Sequence, residues 1–312
     1  MREETKSRMS EQTWHRLTER TTTQDWPASV LYVVATPIGN LADFSLRAWQ
    51  ALLRCDIIAA EDTRASRSLL DAWSVETPLM AAHQHNEAQA AQAIIRRLEQ
   101  GQRVGLISDA GAPAVSDPGA RIVRSVRQAG YRVIPVPGPS AVITALMGSG
   151  VTSDENPAFI FAGFMPPKAQ ARRQWLRNWC FSAAPVVMFE SPHRLRAAVA
   201  DIVDVCGADR QLTFARELTK RFEQIETMAS GQAQAWLTED AHRTQGEFVL
   251  IVHQQIKADD DDTDQDEHVV LIDALLESVS VRDTARVAAK VTGLSRDAAY
   301  KLALARSALT GL

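Results

Sequence analysis

What the chain has little of narrows its possibilities first. Only three of its 312 residues are cysteine (Cys55, Cys180, Cys206), an odd number without the short paired spacing of a metal site. That excludes a disulfide-stapled scaffold and a zinc finger, and it reads as reduced thiols in a cytoplasmic protein. No apolar run approaches the ~18 residues that cross a bilayer, so no membrane partner is expected. The N-terminus mixes Arg with Glu and has no apolar stretch, unlike a secretory signal. Two phosphate cradles are also missing: there is no G-x-x-x-x-G-K-[ST], and the first apolar run is not followed by G-x-G-x-x-G.

The formal charge of −4 comes from one place. Residues 259–267 carry seven acidic groups and no basic one, whereas residues 1–28 balance and residues 268–312 are slightly basic. Net charge therefore neither favours nor excludes a nucleic-acid partner.

What is present is an alternation. Residues 1–28 are polar and read as a flexible arm. From Val30 onward, β-type apolar runs at 30–35, 56–60, 78–82, 104–107 and 132–136 alternate with helical patterns. Continuous apolar strands between amphipathic helices predict a mostly parallel sheet covered on both faces, here over 29–148. Residues 149–257 predict a second α/β domain with a mixed sheet, whose strands fall near 159–164, 185–190, 212–217 and 247–252, with 223–230 at an edge. The tract 258–267 reads as a solvated linker. Residues 268–312 predict three helices in a helix-turn-helix-like module, suited to nucleic acid or to another protein.

Ligands of parallel α/β sheets sit beyond the carboxyl ends of the strands. The segments leaving those ends are "TPIGN", "EDTR", "SDAGAPAVSDPG" and "PGPSA", followed in the second half by "GFMPPK", "ESPHR" and "ARELTK". Taken singly, each is an ordinary turn or helix cap; Asn40, Asp117 and Ser140 all suit capping. Together they converge on one sheet edge. The carboxylates Glu61, Asp62, Asp109 and Asp117 would repel a polyphosphate and suit a cationic ligand rich in hydrogen-bond donors. His83 and His85 in "AAHQHNE" lack a third ligand at metal spacing, so substrate contact or capping by Asn86 is the better reading there.

Eight motifs in order, "LYVVATPIGNLADFSLRA", "IIAAEDTR", "GLISDAGAPAVSDPG", "VIPVPGPSAVITAL", "FAGFMPPK", "FESPHRL", "ARELTKRFE" and "GEFVLIV", resemble the tetrapyrrole-methylase-like methyltransferases that use S-adenosylmethionine (SAM). Within that family the chain looks like the branch that 2′-O-methylates a cytidine ribose in the decoding region of bacterial 16S ribosomal RNA. The alternative is a small-molecule methylase of the same fold. The resemblance implies two α/β domains with SAM in the cleft between them, usually as a homodimer. The substrate would be ribosomal RNA or the assembled small subunit.

Carried over by motif, the resemblance assigns cofactor contacts to Pro37, Gly39, Asp109, Ala110, Gly111, Pro113, Ser116, Asp117, Pro137, Gly138, Pro139, Ser140 and Ala141, and beyond them to Phe164, Glu190, Ser191 and Leu218. Ala112 stands where the family commonly has Thr, and Ala35 where it often has Pro. A ribose hydroxyl needs a base to take its proton, and Glu61, Asp62, His193 or a neutral Lys220 qualify. Arg64, Arg194, Arg216 and Lys220 are candidates to grip phosphates. Structural ion pairs within Glu61–Arg64 and Glu217–Lys220 are the competing reading.

Overall fold

The computed structural model describes residues 11–116, 119–255 and 261–310. Part of the expected flexible arm is ordered: helix α1 (Glu11–Thr22) precedes the first sheet, and Trp26 is buried. Trp26 packs in the same cluster as Tyr32, and its indole N–H donates to the Thr21 carbonyl. An isolated tryptophan in a polar stretch is thus the anchor of the arm, a role its neighbours do not advertise.

The first sheet contains β1 (Val30–Val34), β2 (Ile57–Ala60), β3 (Leu79–Ala81), β4 (Val104–Ile107) and β5 (Arg132–Val136), in the order β3-β2-β4-β1-β5. Every pairing is parallel. Helices α2 (Leu46–Arg54), α3 (Thr63–Ala72), α4 (Glu87–Glu99) and α5 (Ala120–Gln128) cover it. The two-residue period of β1 sorts its side chains: Val30, Tyr32 and Val34 join Leu52 and Leu70 on one face, and Leu31 joins Ile94, Leu98 and Ile122 on the other. Fully burying each such aliphatic side chain contributes about 1.5–3 kcal/mol.

Helix α6 (Ala141–Ser149) runs across position 148, where the sequence places a domain boundary. Its buried residues Val142, Ala145 and Leu146 pack with Val187, Ala215, Val249 and Ile251 of the second sheet. That sheet comprises β6 (Ile160–Phe164), β7 (Val186–Glu190), β8 (Gln211–Arg216), β9 (Gln224–Ala229) and β10 (Phe248–Val252), ordered β6-β7-β10-β8-β9. It is mixed: β6 and β7 are parallel and the other pairs antiparallel. Its opposite face is covered by α7 (Ala169–Trp179), α8 (Leu195–Cys206) and α9 (Ser230–Glu239) through Leu176, Val199, Ile202 and Leu237. Buried Arg172 joins α7 to Asp201 of α8 at 2.6 Å and donates to the carbonyls of Pro166 and Pro167.

The chain divides near residue 255 into two compact units. The second contains α10 (Asp261–Leu276), α11 (Val281–Thr292) and α12 (Arg296–Thr310) around Ile272, Leu276, Ala285, Ala288, Ala299 and Ala303. Ser280 caps α11, and Gly293 closes it at φ +75°. Helix α10 begins inside the acidic tract, so the expected linker 258–267 is helical from Asp261. Among the described residues no helix is long and apolar enough to cross a membrane.

Candidate cofactor and substrate site

Two segments leaving the first sheet are pinned together. The Thr36 and Gly111 backbones exchange hydrogen bonds of 2.9 and 3.0 Å, and the Thr36 hydroxyl donates to the Ser108 carbonyl. The stretch after β4 then turns through left-handed backbone at Gly111 (φ +80°), Ala114 (+69°) and Ser116 (+65°). Glycine suits position 111 because its φ of +80° strains any L side chain; a Cβ there would make only ordinary contact with Ile38, at 3.4 Å, and the Pro139 carbonyl, at 3.8 Å. The stretch ends at Gly119, whose N–H donates to the buried Glu87 carboxylate at 2.7 Å, at the start of α5.

Between this edge and the second sheet lies a cavity of about 380 Å³. Of the expected cofactor residues, Ala110, Gly111, Ser140, Ala141, Phe164, Glu190, Ser191 and Leu218 line it. The Ser140 side chain makes no capping bond to α6. Phe164 and Phe189 form an edge-to-face pair at 5.2 Å along one wall. Glu190 is fully buried: its Oε1 accepts from the Ser191 N–H and the Arg194 guanidinium, both at 2.6 Å, while Oε2 has no partner. A buried carboxylate oxygen without a donor carries a desolvation cost that a ligand donor would relieve. A cavity with small backbone-lined turns, an aromatic wall and this one free oxygen fits SAM, which brings an ammonium, ribose hydroxyls and a sulfonium.

The remaining expected contacts are not among the residues that line the cavity. Pro37 and Pro113 are buried, and Asp109, Ser116, Pro137 and Gly138 are exposed. Ser116 faces Gly163 across the two halves, its Oγ 3.1 Å from where a Cβ would stand. Gly138 packs on Ala35. Pro139 contributes the carbonyl near Gly111, and Gly39 lies against the Lys220 side chain. Asp117 lies outside the described residues.

The candidate bases separate by environment. Burial pushes the Glu61 carboxyl above its ordinary value; the charges of Asp109 and Asp62 add to this, and a bond from the Asp109 backbone N–H opposes it. Asp62 is the N-cap of α3, accepting from the backbone N–H groups of Arg64 and Ala65, which hold its carboxyl low. Its own N–H donates to Asp109 at 3.0 Å, tying the two segments. His193 is exposed in the turn after β7, beside the cavity residue Pro192.

Lys220 corrects the expectation of a neutral amine. Burial pulls it down, but hydrogen bonds and charges from Glu247 and Glu217, at 2.8 and 2.9 Å, outweigh that and leave it raised and protonated. Glu217 is lowered on balance, because Lys220 and the Glu247 N–H overcome its burial. Arg216 is buried, with its guanidinium donating to the Gln245 and Phe222 carbonyls, so it is not open to a phosphate. Arg194 is held by Glu190. Of the four proposed phosphate grips only Arg64, on the first turn of α3, is exposed. Asn86 accepts from the His83 N–H instead of capping α4.

Sequence reasoning missed several contributors. Ile38, Val142, Ala215 and Val249 line the cavity as ordinary core residues of their elements, and Phe189 alternates with strand neighbours. Only "TPIGN" and "FESPHR", by flanking glycine or charge, hinted that Ile38 and Phe189 lie near a site. Glu87 had no signal: its partner Gly119 is 32 residues away.

The profile of the Tetrapyrrole (Corrin/Porphyrin) Methylases matches residues 30–234, and that of the RsmI C-terminal HTH domain matches residues 262–307. A protein of Haemophilus influenzae named ribosomal RNA small subunit methyltransferase I is 41% identical over 276 residues, covering 88% of this chain and 96% of its own. Its namesake in Escherichia coli O157:H7 is 43% identical over 88% of this chain and 94% of its own. Among solved structures, a cobalt precorrin-4 methyltransferase shares the fold at TM-score 0.53 and 14% identity, over 72% of this chain and 95% of its own. A diphthine synthase does so at 0.54 and 13%, over 72% and 90%. With residues 30–234 and 262–307 matched by these two profiles and relatives 41% and 43% identical over 88% of its length, the chain belongs to the tetrapyrrole methylase family, as a member of its ribosomal RNA small subunit methyltransferase I group.

Proposed function

We propose that the protein is a cytoplasmic, homodimeric enzyme that uses SAM to methylate the ribose 2′-hydroxyl of a cytidine in the decoding region of bacterial 16S ribosomal RNA. The observation that carries this reading is the cavity itself, where one buried carboxylate oxygen without a partner faces a space walled by Phe164, Phe189 and Leu218. The names of the relatives, which match 88% of this chain, support small-subunit ribosomal RNA as the class of substrate.

When bound, SAM supplies an electrophilic methyl group. The backbone of Ala110, Gly111, Ser140 and Ala141 receives it, Glu190 accepts one of its donors, and the aromatic wall excludes water. Glu61 is the proposed general base: in its carboxylate form it accepts the 2′-hydroxyl proton and releases it to solvent. Arg64, one turn away on α3, is the proposed contact to an adjacent phosphate. Positioning of the hydroxyl contributes several kcal/mol, and general-base assistance adds ~10²–10⁴-fold.

The test is transfer of labelled methyl from SAM to unmodified small subunits and to naked RNA, followed by digestion to nucleosides. Label in 2′-O-methylcytidine is expected. Label in a base-methylated nucleoside, or on a tetrapyrrole alone, would overturn the reading. Sedimentation of the same preparation checks the dimer.

A further inference from the structure

The turn between β8 and β9 presents an aromatic ring to solvent on a backbone that is held firmly in place. Phe222 is 65% exposed. The Arg221 guanidinium stands over its ring, 5.5 Å from the centroid. Beneath them, buried Arg216 donates to the Phe222 carbonyl, the Glu223 N–H donates to the Lys220 carbonyl at 3.1 Å, and the Glu223 carboxylate accepts from the Thr219 N–H. Glu217 (φ +50°) and Thr219 (φ +65°) occupy left-handed backbone to make the turn. These bonds also account for the acidic neighbours: Glu217 and Glu247 are occupied by Lys220, and Glu223 by a backbone N–H. Arg221 forms no ion pair with a carboxylate among the described residues.

The turn lies at the cavity end of the second sheet. Leu218, four residues earlier, lines the cavity, and so do Glu247 and Phe248, the latter paired with Arg216. The ring is turned to solvent and joins neither of the hydrophobic clusters packed on the second sheet. An exposed ring with a guanidinium over one face and no carboxylate paired to that guanidinium among the described residues matches the chemistry of an unstacked nucleotide, with the base lying on the ring's other face and the phosphate on the cation.

We infer that Phe222 and Arg221 form a stacking platform for a single-stranded nucleotide flanking the one whose ribose is methylated. This rests on the RNA-methylation reading above. The platform selects for an acceptor strand already splayed out of its duplex, because a paired base has no free face to offer.

The experiment compares wild type with Phe222→Ala, Phe222→Trp and Arg221→Ala in the full-length protein. It measures KM and kcat for methyl transfer to unmodified small subunits, SAM affinity by calorimetry, and oligomeric state by sedimentation. Phe222→Ala is expected to raise KM for the RNA substrate about tenfold, the size of losing one base–aromatic stack, with SAM affinity unchanged. Phe222→Trp is expected to restore KM, and Arg221→Ala to raise it with a weaker salt dependence. Unchanged KM in an active Phe222→Ala enzyme would overturn the platform and leave the methylation reading intact. A rise in KM that tracks dissociation into monomers would overturn it too, identifying the ring as a contact with a second copy. If wild type methylates no RNA at all, the parent reading fails, and this inference with it.

Discussion

The aliphatic chain of Lys220 lies across Gly39. A Cβ placed on that glycine would stand 2.6 Å from the lysine Cγ and 2.7 Å from its Cε. The residue thus joins the two halves, with its stem on the first sheet's "TPIGN" turn and its ammonium between Glu217 and Glu247 of the second. Gly39→Ala is expected to destabilise the protein by about 1–3 kcal/mol, since φ is +146° there and the lysine must move. Denaturant titration of Gly39→Ala, Lys220→Ala and the double variant checks it. Removing the lysine should recover only the steric part, giving a coupling between the two sites.

Glu190→Gln is expected to weaken SAM binding by roughly 1.5–3 kcal/mol, the range for a hydrogen bond to a charged group. The substitution keeps shape and replaces the ionised acceptor whose Oε2 is unpartnered. Calorimetry reads it directly. Affinity equal to wild type would show that the ligand's donors lie elsewhere in the cavity.

Glu61 gives a pH test with opposite signs for rate and stability. As the base, it works ionised, so turnover should rise with pH through its raised pKa and then level off. For stability, a carboxyl raised on folding favours the protonated native state. Its contribution therefore becomes unfavourable as pH climbs above the unfolded value, and stays so above the folded one. Glu61→Gln should thus lower kcat by ~10²–10⁴-fold while leaving the melting temperature at pH 8 equal to wild type or higher. A variant with full kcat would remove Glu61 from the reaction.

Breaking the Arg172–Asp201 pair should cost ~3–5 kcal/mol in Asp201→Ala, because a buried guanidinium loses its counter-charge. The same arginine holds the carbonyls of Pro166 and Pro167, just past Phe164. Weaker SAM binding should therefore accompany the lost stability, measurable by calorimetry below the unfolding transition.

Removing residues 256–312 should leave SAM affinity unchanged, since the cavity is built wholly from the first unit. Methyl transfer to small subunits should fall if α11 and α12 contribute to RNA binding; undiminished transfer would assign them to another partner.

Legibility in the sequence followed the range of the interactions. Strands such as Val104–Ile107 and Phe248–Val252 are apolar runs buried on both faces, so their positions were readable to within a residue. The turns that build the cavity were readable because glycine, proline and small residues mark backbone that must bend. The separate fates of Lys220 and Arg216 were not readable, because ionisation and exposure depend on Glu247 and Gln245, which pairing of β8 with β10 brings near. The packing of helix α6 was not readable for a related reason. Its pattern specified an apolar face, and only the tertiary fold says which sheet that face meets.

Glu87 has one further consequence. In many parallel sheets the helix opening after a central strand offers its bare amide end to the diphosphate of a nucleotide. Here that berth is already taken: the Glu87 carboxylate sits on the Gly119 N–H, with Arg121 3.7 Å away on its other oxygen. The protein's own carboxylate therefore closes this helix end to the phosphate of a nucleotide.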